Sequence, residues 1–180
     1  MSHPKFVEGA RCLQDAGLSL DFWIYHTQLS EMEKIAMTLP ELSIILNHIG
    51  GPIHLGEYEG KQALTHREWR KAMMRLSRLP NIKVKLGGLG MEVNGAKFHL
   101  NQNPPNSSQL ADIWKSWIYE TIDMFGVERC MFESNFPVDK GSCSYGSLWN
   151  AFKIISENMS DNEKNKLFYE NAAKTYKIKL

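Results

Sequence analysis

The sequence predicts an α/β domain built on a parallel sheet, and three observations predict it. Four short apolar runs recur along the chain, each followed by an amphipathic segment of helical length. The runs are almost continuously apolar, the pattern of strands covered on both faces. Each run ends in a polar residue or a glycine, and unusually long loops follow two of them.

The elements follow in order. LSLDFWIYH (18–26) is aromatic and β-branched. The helix QLSEMEKIAMTLPEL comes next, with Ser30 as expected N-cap and Glu33 at capping-box spacing, and Pro40 ends it. LSIILNH (42–48) is the second strand. THREWRKAMMRLSRLP is the second helix, with Thr65 as expected cap, Trp69, Met73 and Leu76 on one face, and a stop before Pro80. NIKVKLGGL (81–89) alternates Ile82, Val84 and Leu86 with Lys83 and Lys85. NSSQLADIWKSWIYETIDMFG starts after Pro104-Pro105 and ends at Gly126, a natural C-cap. RCMFESN (129–135) is the fourth strand. Two more helices, YGSLWNAFKIISENM and SDNEKNKLFYENAAKTYKI, close the chain, the second with Ser160 and Glu163 at capping-box spacing. The long loops are 49–64 and 88–108.

Composition bounds the function. The chain has 180 residues, enough for one domain with a real core. A net charge of +1 leaves no basic excess for a polyanion, so no nucleic-acid partner is expected. No apolar run approaches the ~20 residues of a membrane span. The N-terminus has neither the basic nor the apolar region of a signal peptide. Three cysteines, Cys12, Cys130 and Cys143, are too scattered for a disulfide framework, so a reduced, cytoplasmic compartment is expected. Cys130 is expected as a small core residue.

In a parallel sheet all strand ends share one edge. His26, His48 and Asn135 are therefore brought together by topology, as imidazoles and an amide able to orient substrate, move protons or hold a metal. His54, His66 and His99 fall in loops or helix starts and are expected to be packing residues. Gly87, Gly88 and Gly90 lack the phosphate-loop lysine and the dinucleotide fingerprint, and supply backbone freedom beside a cleft. Side-chain alternation places Met131, Glu133 and Asn135 on one face. A buried Glu133 needs a partner or a proton. It is either the structural partner of Lys85 on the neighbouring strand or a catalytic base with a shifted pKa. Asp139 either binds substrate or caps the next segment.

The segments ILNHIGGP, WRKAMMRLSRLPNIKVKLGGLGM, FGVERCMFESNFPVDK and NAAKTYKI resemble, in this order, the amidohydrolase-related family of TIM-barrel hydrolases, part of the metal-dependent hydrolase superfamily. They follow its patterns L-D-H-x-G-x-P, P-N-V-x-x-K-x-S-G-L, F-G-S-D-W-P and N-A-x-x-x-Y, and lie nearest a subgroup reading F-E-S-N-F-P-V-D. The resemblance implies a (β/α)₈ barrel with its active site at the C-terminal strand ends. Such a barrel needs about 250 residues and opens with an H-x-H strand, and H-x-H is absent here. The expected fold is therefore the C-terminal half of a TIM barrel, and residues 1–180 one incomplete domain. His26 and His48 take the family's strand-five and strand-six histidine positions. Asn135 replaces the strand-eight aspartate that binds metal and acts as base in metal-dependent members. Asn is a neutral, weak ligand. No cofactor is therefore expected in this chain, although the resemblance implies that full-length relatives can hold a divalent metal such as zinc.

The resemblance implies a lactonase-like hydrolase acting on a lactone, ester or amide carbonyl. His26, His48, Glu133 and Asn135 would be catalytic, and Lys85 and Asp139 would contact a small-molecule substrate. The alternatives are a catalytically inert half-barrel and a family-type decarboxylase. At the exposed first and last strands the partner would be a second copy of the chain or an N-terminal half-barrel companion.

Overall fold

The computed structural model describes residues 1 and 3–179. It holds a four-stranded, wholly parallel sheet in the order β1-β2-β3-β4. The strands are β1 Ser19–Phe22, β2 Ser43–Leu46, β3 Ile82–Leu86 and β4 Cys130–Phe132. They are shorter than the apolar runs but centred on them. Phe22, Leu46, Val84 and Cys130 stand abreast, so the four C-terminal ends open on one edge.

Helices link the strands: α1 Pro4–Asp15, α2 Leu29–Thr38, α3 Gln62–Leu76, α4 Ser107–Phe125 and α5 Tyr145–Ile155. A last segment runs through α6 Asp161–Asn165, a wider turn over Lys166–Glu170, and α7 Asn171–Tyr176. The first helix was not anticipated. Its signals are local: Pro4 occupies the first turn and the His3 ring accepts from Lys5 N–H.

Two expected caps are corrected. A short turn over His26–Gln28 feeds directly into α2, so Gln28 is its cap and Ser30 lies inside. The third helix begins at Gln62, so Thr65 is internal, and its hydroxyl donates to Ile53 O at 2.8 Å. The capping boxes at Asn106–Gln109 and Ser160–Glu163 are both formed. Pro40 follows the end of α2, and Gly126 caps α4 with φ +77°.

The sheet has two unlike faces. Phe22, Ile44, Leu46, Ile82, Val84, Leu86, Cys130 and Phe132 belong to the core under the helices, with Trp69, Trp114 and Phe152 fully buried beside them. Each such Leu or Ile contributes about 1.5–3 kcal/mol. Burial pushes the Cys130 thiol up to about 12, so it behaves as a small apolar residue. The opposite face carries Asp21, Ile45, Lys83, Lys85 and Met131, the intervening residues of the strands. Lys85 Nζ lies 2.7 Å from Asp21 there, and the Tyr176 hydroxyl donates to the same carboxylate.

Polar side chains lock the turns beneath. Arg129 donates to the carbonyls of Phe125, Leu79 and Ser77 at 2.9, 2.9 and 2.7 Å, joining the end of α4 to the chain before β3. Asn171 donates to Val127 O and Cys130 O. Arg129→Met should therefore cost about 2–4 kcal/mol, because three carbonyls lose a charged donor. Urea denaturation measures it, and an unchanged midpoint would refute the role.

Candidate active site

The β2 end builds the site. Asn47 N–H still pairs with Phe22 O at 2.9 Å, but the chain then enters the left-handed region for four residues. His48, Ile49, Gly50 and Gly51 have φ of 55, 54, 74 and 53°. The two non-glycine residues are unfavourable there. Neighbours hold them: Trp69 Nε1 donates to Ile49 O at 2.7 Å, and His26 N–H to Gly51 O at 3.1 Å. The coil aims His48 at Glu133. Glu133 Oε1 accepts from His48 N–H at 2.9 Å and lies 2.5 Å from His48 Nδ1. Both side chains are largely buried, and the edge of Trp23 packs on the imidazole with centroids 4.5 Å apart.

The pair spans β2 and β4 across the tip of β3, and the tip is glycine. A Cβ on Gly87 would lie 2.2 Å from Glu133 O, and one on Gly88 2.5 Å from the His48 ring. The expected Glu133–Lys85 pair is thus corrected. Glu133 N–H bonds Leu86 O, one residue past the end of β4, and its carboxylate reaches the strand-end cleft, while Lys85 is held by Asp21. The expected alternation through Asn135 also fails. Regular strand stops at Phe132, and Asn135 is left-handed with φ 51°.

Asn135 still joins the cluster. Its amide donates to Asp139 Oδ1 at 2.9 Å, and Gly90 N–H donates to Asp139 Oδ2 at 3.3 Å. Asp139 is 1% exposed. Burial pushes its carboxyl up to about 6, opposed by the bonds from Asn135 and Gly90 and by the charge of His48, and reinforced by that of Glu133. The structure thus brings together His48, Glu133, Asn135 and Asp139.

His26 is placed apart. Its ring packs on Tyr58, Nδ1 accepts from Ile53 N–H at 3.2 Å, and Nε2 lies 3.7 Å from Glu68. Burial lowers its pKa, with Glu68 opposing. No hydrogen bond or ring contact ties it to His48 among the described residues. His66 pairs with Glu120 at 2.8 Å, and the side chain of His99 lies outside what is described. Sequence reasoning missed Trp23, whose signal was its place directly after β1. The two long loops, expected to shape a pocket, enclose with α4 a cavity of about 610 Å³, lined in part by His54, Asn94, Trp114 and Trp117.

The amidohydrolase family model matches residues 2–178. The chain belongs to the amidohydrolase family. An uncharacterized protein of Sinorhizobium fredii, y4mH, is 38% identical over 97% of this chain and 52% of its own length. The L-fucono-1,5-lactonase of Burkholderia multivorans is 26% identical over 96% of this chain and 56% of that protein. A Burkholderia multivorans amidohydrolase solved with bound zinc superposes with a TM-score of 0.82 at 25% identity, covering 98% of this chain and 58% of that one. This amidohydrolase chain therefore spans about half the length of the curated relatives it matches, and its four βα units correspond to half of a barrel.

The residues present do not fit a divalent metal by themselves. Among the described residues no three His, Cys, Asp or Glu side chains converge as a ligand set. His48 Nδ1 is engaged by Glu133, and Asn135 supplies a neutral amide already bonded to Asp139.

Asp139 generates a stability prediction. Its folded pKa lies above its unfolded one, so its contribution favours folding below pH 3.8 and is lost as pH rises through about 6. The gap between 3.8 and about 6 is worth about 3 kcal/mol. The difference in unfolding free energy between the wild type and Asp139→Asn should change by up to this amount across that window. Parallel pH profiles would refute it.

Proposed function

We propose that the chain carries the proton-transfer machinery of a hydrolase acting on a carbonyl-centred small molecule, a lactone foremost, with an ester or amide as the related cases. The single observation behind this reading is the His48–Glu133 pair at the C-terminal strand ends. An acceptor at Nδ1 fixes the proton there and leaves Nε2 as the nitrogen free to accept a proton, its ring oriented by the carboxylate. The similarity to an L-fucono-1,5-lactonase supports a lactone as substrate.

In this mechanism His48 Nε2 takes a proton from water as the water oxygen bonds to the carbonyl carbon. Collapse of the tetrahedral adduct breaks the bond to the leaving oxygen, which receives a proton from Asp139. Burial pushes the Asp139 carboxyl up to about 6, toward the range of a workable general acid. The proton held by His48 then restores Asp139. Asn135 positions Asp139 through its amide bond. His26 and Lys85 have no part in these steps, because their side chains are held by other groups.

A second reading concerns assembly. β1 and β4 are edge strands, and the face between them carries Asp21, Lys83 and Lys85 rather than a purely apolar surface. With the half-length match to relatives, this favours completion of the barrel by further strands, and full activity would then require them.

Lactone hydrolysis, followed by acid release over a panel of aldonolactones, tests the first reading. Glu133→Gln should lower kcat/KM by about 10²–10⁴-fold with the melting temperature little changed. A variant that keeps its rate, or that unfolds instead, would refute Glu133 as the orienting carboxylate.

A further inference from the structure

A polar cavity lies at the opposite edge of the sheet, where the strands begin. Ser19 opens β1, Ser43 opens β2, and Lys83 is the second residue of β3. Ser19 stands beside Ser43, and Lys83 beside Ile45. Side chains alternate along each strand, so Ser19, Ser43 and Lys83 project from the face that also carries Asp21 and Lys85. The end of the chain closes the space, with Lys174 on α7 and Lys177 just after it. Lys177 is left-handed, with φ 55°, and its Nζ donates to Gly17 O at 2.8 Å, fastening this segment to the chain before β1. The enclosed volume of about 320 Å³ is at the small end of ligand sites, roughly 300–1,000 Å³.

The charge of this cavity is one-sided. Three lysines line it and, among the described residues, no carboxylate does. Asp21, two residues along β1 from Ser19, is already engaged by Lys85 and Tyr176. Lys83 and Lys174 have no acidic partner among the described residues. Burial, and then the charge of Lys174, hold the Lys83 ammonium below the usual lysine range. An anion between the two ammonium groups offsets both effects. The recognising groups are accessible: Lys174 and Lys177 are exposed, and Ser19, Ser43 and Lys83 are half-buried. An ammonium has three donors, so Lys177 keeps two after bonding Gly17, and the serine hydroxyls add more.

We propose that this cavity binds a small phosphate-class oxyanion, inorganic phosphate or the phosphate monoester of a small alcohol. A phosphate monoester carries a charge of about −1.5 to −2 at pH 7, which matches a cluster of ammonium groups better than a single carboxylate does. Its oxygens accept several charged donors at once, and lysine serves such groups as a point charge. The site is independent of the hydrolysis proposed above. It lies at the other ends of the strands and shares no residue with the cluster of His48, Glu133, Asn135 and Asp139.

The test is proton–nitrogen NMR of the full chain, following the backbone N–H signals of Ser19, Ser43, Lys83 and Lys174. Inorganic phosphate and glycerol 3-phosphate are the probes, with chloride and acetate at matched ionic strength as comparators. Saturable shifts of these signals with at least one phosphate probe are expected, with weaker or no shifts from chloride and acetate. Lys83→Met, which keeps an apolar stem, should weaken binding about tenfold, the worth of one charged hydrogen bond. Lys174→Gln, at an exposed position of α7, should weaken it several-fold and serves if the first substitution unfolds the chain. Lys153→Gln, exposed on α5 and outside the cavity, should leave it unchanged. The proposal is overturned by the absence of a saturable shift, by acetate or chloride acting as strongly as phosphate, or by a response that Lys174→Gln does not weaken or that Lys153→Gln weakens equally.

Discussion

The site depends on a gap in the middle of the sheet. His48 and Glu133 follow the ends of β2 and β4, with β3 between them, and ordinary side chains at the tip of β3 would hold them apart. Gly87 and Gly88 remove that obstacle. A Cβ at either position would stand within 2.5 Å of Glu133 or His48. Gly88 also has φ +66°, which side-chain-bearing residues rarely adopt. The two glycines thus set a distance as well as a conformation. Carboxylate and imidazole meet at 2.5 Å only because the strand between them carries nothing at its end.

The backbone on either side is held in an unfavourable form to match. His48, Ile49 and Asn135 all lie in the left-handed region, at about 1–3 kcal/mol each. The surrounding bonds offset this. Trp69 and His26 tie down the β2 coil, and Asp139 N–H returns to Asn135 O at 3.1 Å to close the turn after β4. The core side of the sheet, densely filled by Leu, Ile, Val and Phe, is the rigid body against which these turns are braced.

Much of this was legible in the sequence. The parallel βα order, all four strand centres, and His48 and Asn135 near the strand edge follow from apolar runs, helix stops and topology. Three things were not. Ser30 and Thr65 look like caps, but the preceding turns began each helix earlier, a tertiary effect that local spacing does not encode. Glu133 was open between a pairing with Lys85 and a catalytic role because period-2 alternation holds only while the strand is regular, and β4 stops at Phe132. Beyond that point direction is set by the individual dihedrals of a coil. His26 stands level with His48 by strand count, yet three residues separate it from the end of β1, enough for its ring to turn toward Tyr58 and Glu68.

The two carboxylates of the cluster have unlike surroundings. Glu133 has an imidazole and a backbone N–H on one oxygen, so its negative charge is directly compensated. Asp139 is more deeply buried, has an amide and one N–H on its carboxylate among the described residues, and shares the neighbourhood with a charged Glu133. Desolvation and like-charge repulsion both favour its neutral form. Asn135 suits this arrangement. A third carboxylate at that position would add another negative charge beside Asp139 and would remove the donor that now holds it. The amide that forfeits metal-ligand strength thus holds the buried Asp139 carboxyl in place beside the His48–Glu133 pair.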